Sequence, residues 1–131
     1  MKDNIDRNLW YSDLESKGDT KYLYEICIFP DNSIIGTNTE TLTDSVISAP
    51  MSRLPINEVI MWLSAVMDAT ESKQDKWILV YSHDGTQAAA ACAAFVSMRQ
   101  SGRAMDVLRS MAFQQFPKNL TELLKDWDFR V

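Results

Sequence analysis

The segment from Trp77 to Met98 constrains the fold more than any other part of the chain. It begins with five consecutive apolar residues ending at Tyr81, passes through a polar turn that contains Gly85, and continues into an alanine-rich run from Ala88. A continuous apolar run of this length is typical of a strand that is covered on both faces of a sheet. Alanine favours helix and permits close packing. The segment therefore predicts a central strand, a short turn and a helix packed against the sheet.

The preceding residues predict the rest of that sheet. Residues 21–29 are rich in aromatic and β-branched side chains, and with the apolar residues 34–36 they indicate a β-hairpin around a turn at Pro30–Asn32. A short strand is expected at Ser45–Ser48. From Ile56 to about Ala69 the apolar residues recur at intervals of three and four, which predicts an amphipathic helix.

The C-terminal third shows the same helical spacing twice. Residues 104–116 and 120–129 are predicted helices, separated by Pro117. Together with the hairpin and the central strand, they predict an α/β fold: a mixed sheet with helices packed on it, an N-terminal β-hairpin and a C-terminal helical cluster.

The whole chain is expected to form one domain, residues 1–131, because two cores of half this size would each be marginally stable. Residues 1–20 are polar and show no periodicity, so a loosely ordered arm or a short helical turn is expected there. Trp10 in this arm is hard to explain by burial, and an exposed tryptophan is a candidate contact site.

Charge and composition exclude several classes of function. Thirteen basic residues against eighteen acidic ones give a net charge of −5, the wrong sign for attraction to nucleic acid or to an anionic membrane surface. No segment has the length of a transmembrane helix or the pattern of a secretory signal, so a cytoplasmic protein is expected. Cys27 and Cys92 are expected to be buried free thiols. Because His83 is the one histidine, a multi-histidine metal site is excluded, and neither a metal nor a cofactor is predicted.

The turn after the central strand resembles the signature loop of the cysteine-dependent protein tyrosine phosphatases, a family whose compact dual-specificity members are nearer to this chain in length. That loop reads Val-His-Cys, five residues rich in glycine, and Arg. The corresponding residues here are Val80, Tyr81, Ser82, His83, Asp84, Gly85, Thr86, Gln87 and Ala88. Residues 49–55 are similar to the family's Trp-Pro-Asp loop, and residues 101–124 resemble its closing helices. The resemblance covers about residues 45–131 and implies a phosphatase-like sheet.

Four positions depart from what the family's chemistry requires. Ser82 stands at the nucleophilic cysteine position, and a serine hydroxyl is not ionised by a helix N-terminus as a thiol is. Tyr81 replaces the preceding histidine, and Ala88 removes the bidentate arginine that binds phosphoryl oxygens. Met51 stands at the general-acid position, where it cannot protonate a leaving group. This acid-loop segment contributes three candidate positions: Pro50, Met51 and Arg53.

The resemblance and these departures together indicate a pseudophosphatase, a phosphatase-like domain without catalytic residues. Its expected partner is a protein, either through direct contact or through a phosphorylated group held by the backbone amides at the helix N-terminus. Two alternatives stay open: an unrelated α/β adaptor domain, and a serine-dependent enzyme that uses the Ser82 loop. A triad of Ser82, His83 and Asp84 is disfavoured, since sequence neighbours cannot form the serial geometry of nucleophile, base and orienting group.

Overall fold

The computed structural model describes residues 2–6, 8–18, 22–29, 33–47, 59–65 and 77–100. Within these ranges the chain is an α/β structure with one mixed sheet of six strands and two helices. The strands, in chain order, are β1 (Lys2–Asp6), β2 (Leu9–Asp13), β3 (Tyr24–Ile28), β4 (Ile34–Asn38), β5 (Thr43–Ile47) and β6 (Ile78–Ser82). The helices are α1, which includes residues 59–65, and α2 (Thr86–Gln100). Neither described helix combines the length and the apolar character needed to cross a membrane.

The predicted central strand, β6, does lie at the centre of the sheet. The strand order is β1-β2-β6-β3-β4-β5, and β6 is parallel to both of its neighbours, whereas the other three pairs are antiparallel. Ile78, Leu79 and Val80 are fully buried although they alternate between the two faces of the sheet. Their burial on both faces explains why this segment is apolar without interruption.

The structure corrects the expectation of a loose arm at residues 1–20. β1 and β2 form an antiparallel pair, and β2 pairs along its full length with β6. Leu9 and Tyr11 of β2 are buried in the core, and Trp10, which faces the other side of the sheet, is half-buried. A single 3-10 turn follows at Glu15–Lys17. The alternation of Leu9 and Tyr11 among many polar residues is too weak to predict a strand from the sequence alone.

The predicted hairpin is confirmed and continues into a third strand. β3 and β4 are antiparallel and pair Ile28 with Ile34, with Ile26 and Ile28 buried on the core face. β5 begins at Thr43, two residues before the predicted strand, and pairs antiparallel with β4. The predicted turn at Pro30–Asn32 lies outside the described residues.

Both helices contribute to one hydrophobic core on a single face of the sheet. The core residues from the strands are Leu9, Tyr11, Ile26, Ile28, Ile34, Ile78 and Val80. Those from the helices are Val59, Ile60 and Leu63 of α1 and every residue from Ala88 to Val96 of α2. The small alanine side chains let α2 approach the sheet closely, as the sequence predicts.

Gly36 allows two aromatic side chains to pack over β4. A Cβ atom at this position would come 2.9 Å from a ring carbon of Trp62 on α1, and it would also collide with the hydroxyl of Tyr24 on β3. Glycine is therefore required here by close approach, and the contact fixes α1 over the hairpin.

Several predicted elements fall outside the described residues. These are the loop at 49–55, the two ends of the helix predicted at 56–69, and the helices predicted at 104–116 and 120–129. The α/β class and the mixed sheet are confirmed, whereas the C-terminal helical cluster stays a prediction.

Candidate functional site

The turn at residues 83–85 leads from β6 to α2. It lies at the end of the sheet formed by the carboxyl ends of the three parallel strands β2, β6 and β3. Asp13 at the end of β2 and Ile28 at the end of β3 are the two Cα partners of Ser82 in the sheet register. The carboxyl ends of parallel strands are the usual location of ligand sites in α/β proteins. The structure places Ser82 to Ala88 of the predicted loop at these carboxyl ends.

Ser82 is held inside the turn. Its side chain is 1% exposed, and its Oγ atom accepts a hydrogen bond of 3.3 Å from the backbone amide of Ala88. The structure describes no imidazole or carboxylate hydrogen-bonded to this hydroxyl. A serine nucleophile requires such an aligned base. The arrangement around Ser82 is therefore that of a structural hydrogen-bond acceptor.

Asp84 supplies the negative charge at the start of α2. One carboxylate oxygen accepts hydrogen bonds from the backbone amide of Thr86, at 3.0 Å, and from the Thr86 hydroxyl. Partial burial raises the pKa of Asp84, but the hydrogen bonds from Thr86 and the charge of His83 outweigh it, so the pKa is lowered overall. The carboxylate is ionised at neutral pH and lies at the positive end of the helix dipole, where an external anion would otherwise bind.

Gly85 and His83 shape the turn through their backbone atoms. Gly85 has a φ of 81°, a left-handed conformation that costs other residues about 1–2 kcal/mol. Its carbonyl accepts a 2.9 Å hydrogen bond from the amide of Ala89, which starts the helical pattern. The carbonyl of His83 accepts a 3.3 Å bond from the amide of Leu14, so the segment after β2 is tied to the turn. The side chain of His83 is exposed.

Ala88 and Thr86 face inward from the first turn of α2. Ala88 is fully buried within the core, and Thr86 is 3% exposed. Gln87 between them is half-buried. The position that the resemblance would assign to a phosphate-binding arginine is therefore filled by a small side chain packed against the sheet.

Tyr81 lies on the other face of the sheet from Ser82, because side chains alternate along β6. Its ring is 4.7 Å from the Nζ atom of Lys17, and this ammonium also forms a 2.7 Å ion pair with Glu25. The Tyr81 hydroxyl is hydrogen-bonded to the side chain of Cys27. The structure thus separates Tyr81 from the other loop residues and places it in a second cluster: Lys17, Glu25, Cys27 and Tyr81.

The pKa shifts in this second cluster keep the Cys27 thiol and the Tyr81 hydroxyl protonated at neutral pH. Burial raises the pKa of the Cys27 thiol, and the bond from Tyr81 and the charge of Lys17 only partly offset it. Burial, Cys27 and Glu25 all raise the pKa of Tyr81 well above its usual range. A thiol with a raised pKa is a poor nucleophile. The cluster is therefore a packed, hydrogen-bonded network and not a reactive-thiol site.

Two further expectations concern the predicted acid loop and a metal site. Pro50, Met51 and Arg53 lie outside the described residues, so the structure does not relate the predicted acid loop to the turn. Among the described residues no three histidine, cysteine, aspartate or glutamate side chains are grouped as metal ligands would be.

Sequence reasoning missed Asp13, a second carboxylate at the carboxyl ends of the parallel strands. Its Oδ1 atom accepts a 2.8 Å hydrogen bond from the amide of Ser16. Burial raises the pKa of Asp13, but the bonds from Ser16 contribute to a net lowering. The weak alternation of Leu9 and Tyr11 was the one signal that could have placed Asp13 at the end of a strand. Asp13 and Asp84 together place two carboxylates at the carboxyl ends of the parallel strands.

No protein-family model matches the chain, and no characterised protein is detectably similar to it in sequence.

Proposed function

We propose that this chain is a catalytically inactive, phosphatase-like domain that acts by binding a protein partner. The observation that carries the proposal is the occupation of the signature-like turn by the chain's own groups. Ser82 accepts the amide of Ala88, and Asp84 accepts the amide of Thr86. In this arrangement two of the amides that could hold an anion already have internal acceptors.

The electrostatics of the turn favour direct protein contact over recognition of a phosphorylated group. Asp13 and Asp84 are ionised, and an incoming phosphate would be repelled by both. Ala88 provides neither the charge nor the paired donors by which arginine binds phosphoryl oxygens. The proposal therefore assigns the turn a structural role and assigns partner binding to another surface.

A serine-dependent enzyme is the competing function, and the surroundings of Ser82 argue against it. The hydroxyl is 1% exposed, whereas a nucleophile must reach its substrate. The side chain of the neighbouring His83 is exposed to solvent, whereas Ser82 is buried, and the structure describes no hydrogen bond from the imidazole to the Ser82 hydroxyl.

The test combines a turnover assay with oxyanion binding. We would measure p-nitrophenyl phosphate hydrolysis and thermal stability in the presence of phosphate, vanadate, tungstate or phosphotyrosine, with chloride at matched ionic strength. Wild-type protein should show no hydrolysis and no stabilisation. A ligand at about a hundred times its dissociation constant would add roughly 2.7 kcal/mol, a shift of several degrees.

Asp84→Asn sharpens the test, because it removes the charge that competes with an anion. Its matched control is Asp44→Asn on β5, where the carboxylate also accepts a threonine hydroxyl, that of Thr37 at 2.7 Å. Oxyanion stabilisation that appears in Asp84→Asn alone would support the role of Asp84 as an internal anion. Hydrolysis that disappears in Ser82→Ala, or stabilisation of the wild-type protein by oxyanions, would overturn the proposal.

A further inference from the structure

The two edges of the described sheet differ in how they are protected against pairing with another strand. β1 at one edge carries Lys2, Asp3 and Asp6, and its register with β2 shifts between Asn4 and Asp6. Charged residues and such irregularities are the usual protection of an edge strand. β5 at the other edge has neither a lysine nor a proline, and all five of its residues stay in regular register with β4.

The β5 edge is also open to solvent. Each residue from Thr41 to Val46 is exposed, and Val46 is 63% exposed although it lies in a strand. Among the described strands β5 pairs with β4 alone. Its second row of backbone hydrogen-bonding groups therefore has no strand beside it in the described part of the chain, which is the template for addition of another strand.

Leu42, immediately before β5, combines exposure with backbone strain. It is 82% exposed and has a φ of 55°, the left-handed region in which a leucine is strained. Glycine or asparagine would adopt this conformation at lower cost. An exposed leucine there gains nothing from the core of this domain, so its apolar surface is available to a partner that lies along β5.

The side chains on the open edge combine apolar and acidic character. Val46 pairs with the half-buried Ile35 of β4, and Asp44 pairs with Thr37 on the same face of the sheet. The two exposed side chains are thus two residues apart on β5, the spacing at which an added strand presents its own alternate side chains.

The negative charge of residues 22–52, which include β5, indicates the charge expected of the partner. Residues 22–52 contain no lysine or arginine, and their acidic residues are Glu25, Asp31, Glu40 and Asp44. Glu25 forms an ion pair with Lys17, and both Glu40 and Asp44 are exposed to solvent beside the edge. A second copy of the chain would bring acidic side chains together, which is unfavourable, whereas a basic segment would complement them.

We propose that β5 is a docking edge for an extended, basic segment of a partner protein, which adds to the sheet as a seventh strand. Backbone hydrogen bonds to β5 would provide affinity, and contacts with Leu42, Asp44 and Val46 would provide selectivity. The inference rests on the proposed binding role of the domain for its biological use, but its physical basis is the open edge and is independent of the Ser82 turn.

The test uses synthetic peptides about eight residues long, within the usual length of a strand. In the first, valine and lysine alternate; in the second, glutamate replaces lysine; the third is the first with alternate backbone amides N-methylated. Each is titrated to millimolar concentration into the ¹⁵N-labelled full chain, and binding is followed by amide chemical shifts. The lysine peptide should shift the amides of residues 43–47, the glutamate peptide should bind at least about fivefold more weakly, and the methylated peptide should not bind.

Val46→Lys and Met61→Lys form a matched pair of variants. Both replace an exposed apolar residue, 63% and 71% exposed respectively, and Met61 lies on α1, which packs on the face of the sheet opposite to that of Val46. Only Val46→Lys should abolish binding of the lysine peptide. Absence of shifts with the wild-type chain, shifts centred on β1, or equal loss in both variants would overturn the inference. So would a dimer of the free wild-type chain that Val46→Lys converts to a monomer, since a second copy would then occupy the edge.

These results are separable from the proposed function. Phosphate hydrolysis by the wild-type chain would refute the inactive-domain proposal and leave the peptide measurements unaffected. An inert turn together with an edge that binds no peptide would refute the docking edge alone.

Discussion

The Oγ atom of Ser82 accepts a hydrogen bond from the backbone amide of Ala88, six residues further along the chain, at 3.3 Å. Both residues are buried, at 1% and 0% exposure. Water therefore cannot replace either partner, and loss of the bond leaves a buried amide without an acceptor. The contact joins the end of β6 to the first turn of α2 and holds the turn closed from inside.

Ser82→Ala should lower the free energy of unfolding by about 1–3 kcal/mol, the usual cost of an unsatisfied buried polar group. Ser97→Ala is the matched control, because Ser97 is equally buried and its hydroxyl donates a 2.8 Å bond to the carbonyl of Ala94. That carbonyl has a helical partner as well, so the control should lose less. Urea denaturation measures both, and equal losses would show that the Ser82 bond contributes nothing particular.

Ala88→Arg should destabilise the domain rather than create a phosphate-binding site. Ala88 is fully buried within the core, where an unpaired charge and a large side chain each cost several kcal/mol, so we expect a loss of about 3 kcal/mol or more. Met98→Arg, on the same helix at a position that is 39% exposed, should be nearly neutral. An Ala88→Arg variant as stable as the wild type, and stabilised further by phosphate, would contradict the packing described for α2.

Asp84 should contribute to stability above its ordinary pKa of 3.8 and lose that contribution in acid. The lowered pKa means that the folded state binds the proton less tightly than the unfolded chain does. The contribution is therefore fully present at neutral pH and declines as the pH falls through 3.8 towards the folded-state pKa. The stability difference between wild type and Asp84→Asn should shrink over that interval.

Urea midpoints measured between neutral pH and about pH 3 provide this comparison. Asp44→Asn serves as the control, since Asp44 also accepts a threonine hydroxyl but lies on β5, away from the turn. A difference between wild type and Asp84→Asn that grows towards low pH would have the wrong sign for the interaction described here.

The two cysteines should differ in their reaction with an aromatic disulfide reagent. Cys92 is fully buried and burial strongly raises its pKa, whereas Cys27 is half-buried with a more modest rise. Since the thiolate is the reactive form, Cys27 should react slowly near about pH 8 and Cys92 only when the domain unfolds. Cys27→Ser should remove the slow phase. Labelling of Cys92 at the rate of Cys27 would contradict its placement in the core.

The hairpin, the central strand and α2 could be predicted because their signals are local. Ile26 and Ile28 alternate with more polar positions in β3, and residues 77–81 are apolar without a break. The alanine run from Ala88 has high intrinsic helix propensity and requires no partner to indicate a helix. The pairing of β1 and β2 could not be predicted, because Leu9 and Tyr11 become core residues only when β6 lies beside them.

The candidate site divides in the same way. Ser82 and Ala88 can be read from the sequence, and the properties of a serine hydroxyl and a methyl side chain argue against phosphatase chemistry at this turn. The bond between those two residues, and the capture of the Thr86 amide by Asp84, depend on how the turn closes. The same holds for Tyr81, which packs with Lys17 and Cys27 on the face opposite Ser82.

The sequence by itself determined the α/β class and the central apolar strand, because side-chain chemistry and local periodicity carry that information. The tertiary structure alone decided that β6 lies between β2 and β3, that Asp13 and Asp84 stand beside the turn, and that β5 pairs with β4 alone among the described strands. Strand order and edge exposure arise from pairing between distant segments, and no local pattern specifies which strand remains without a neighbour.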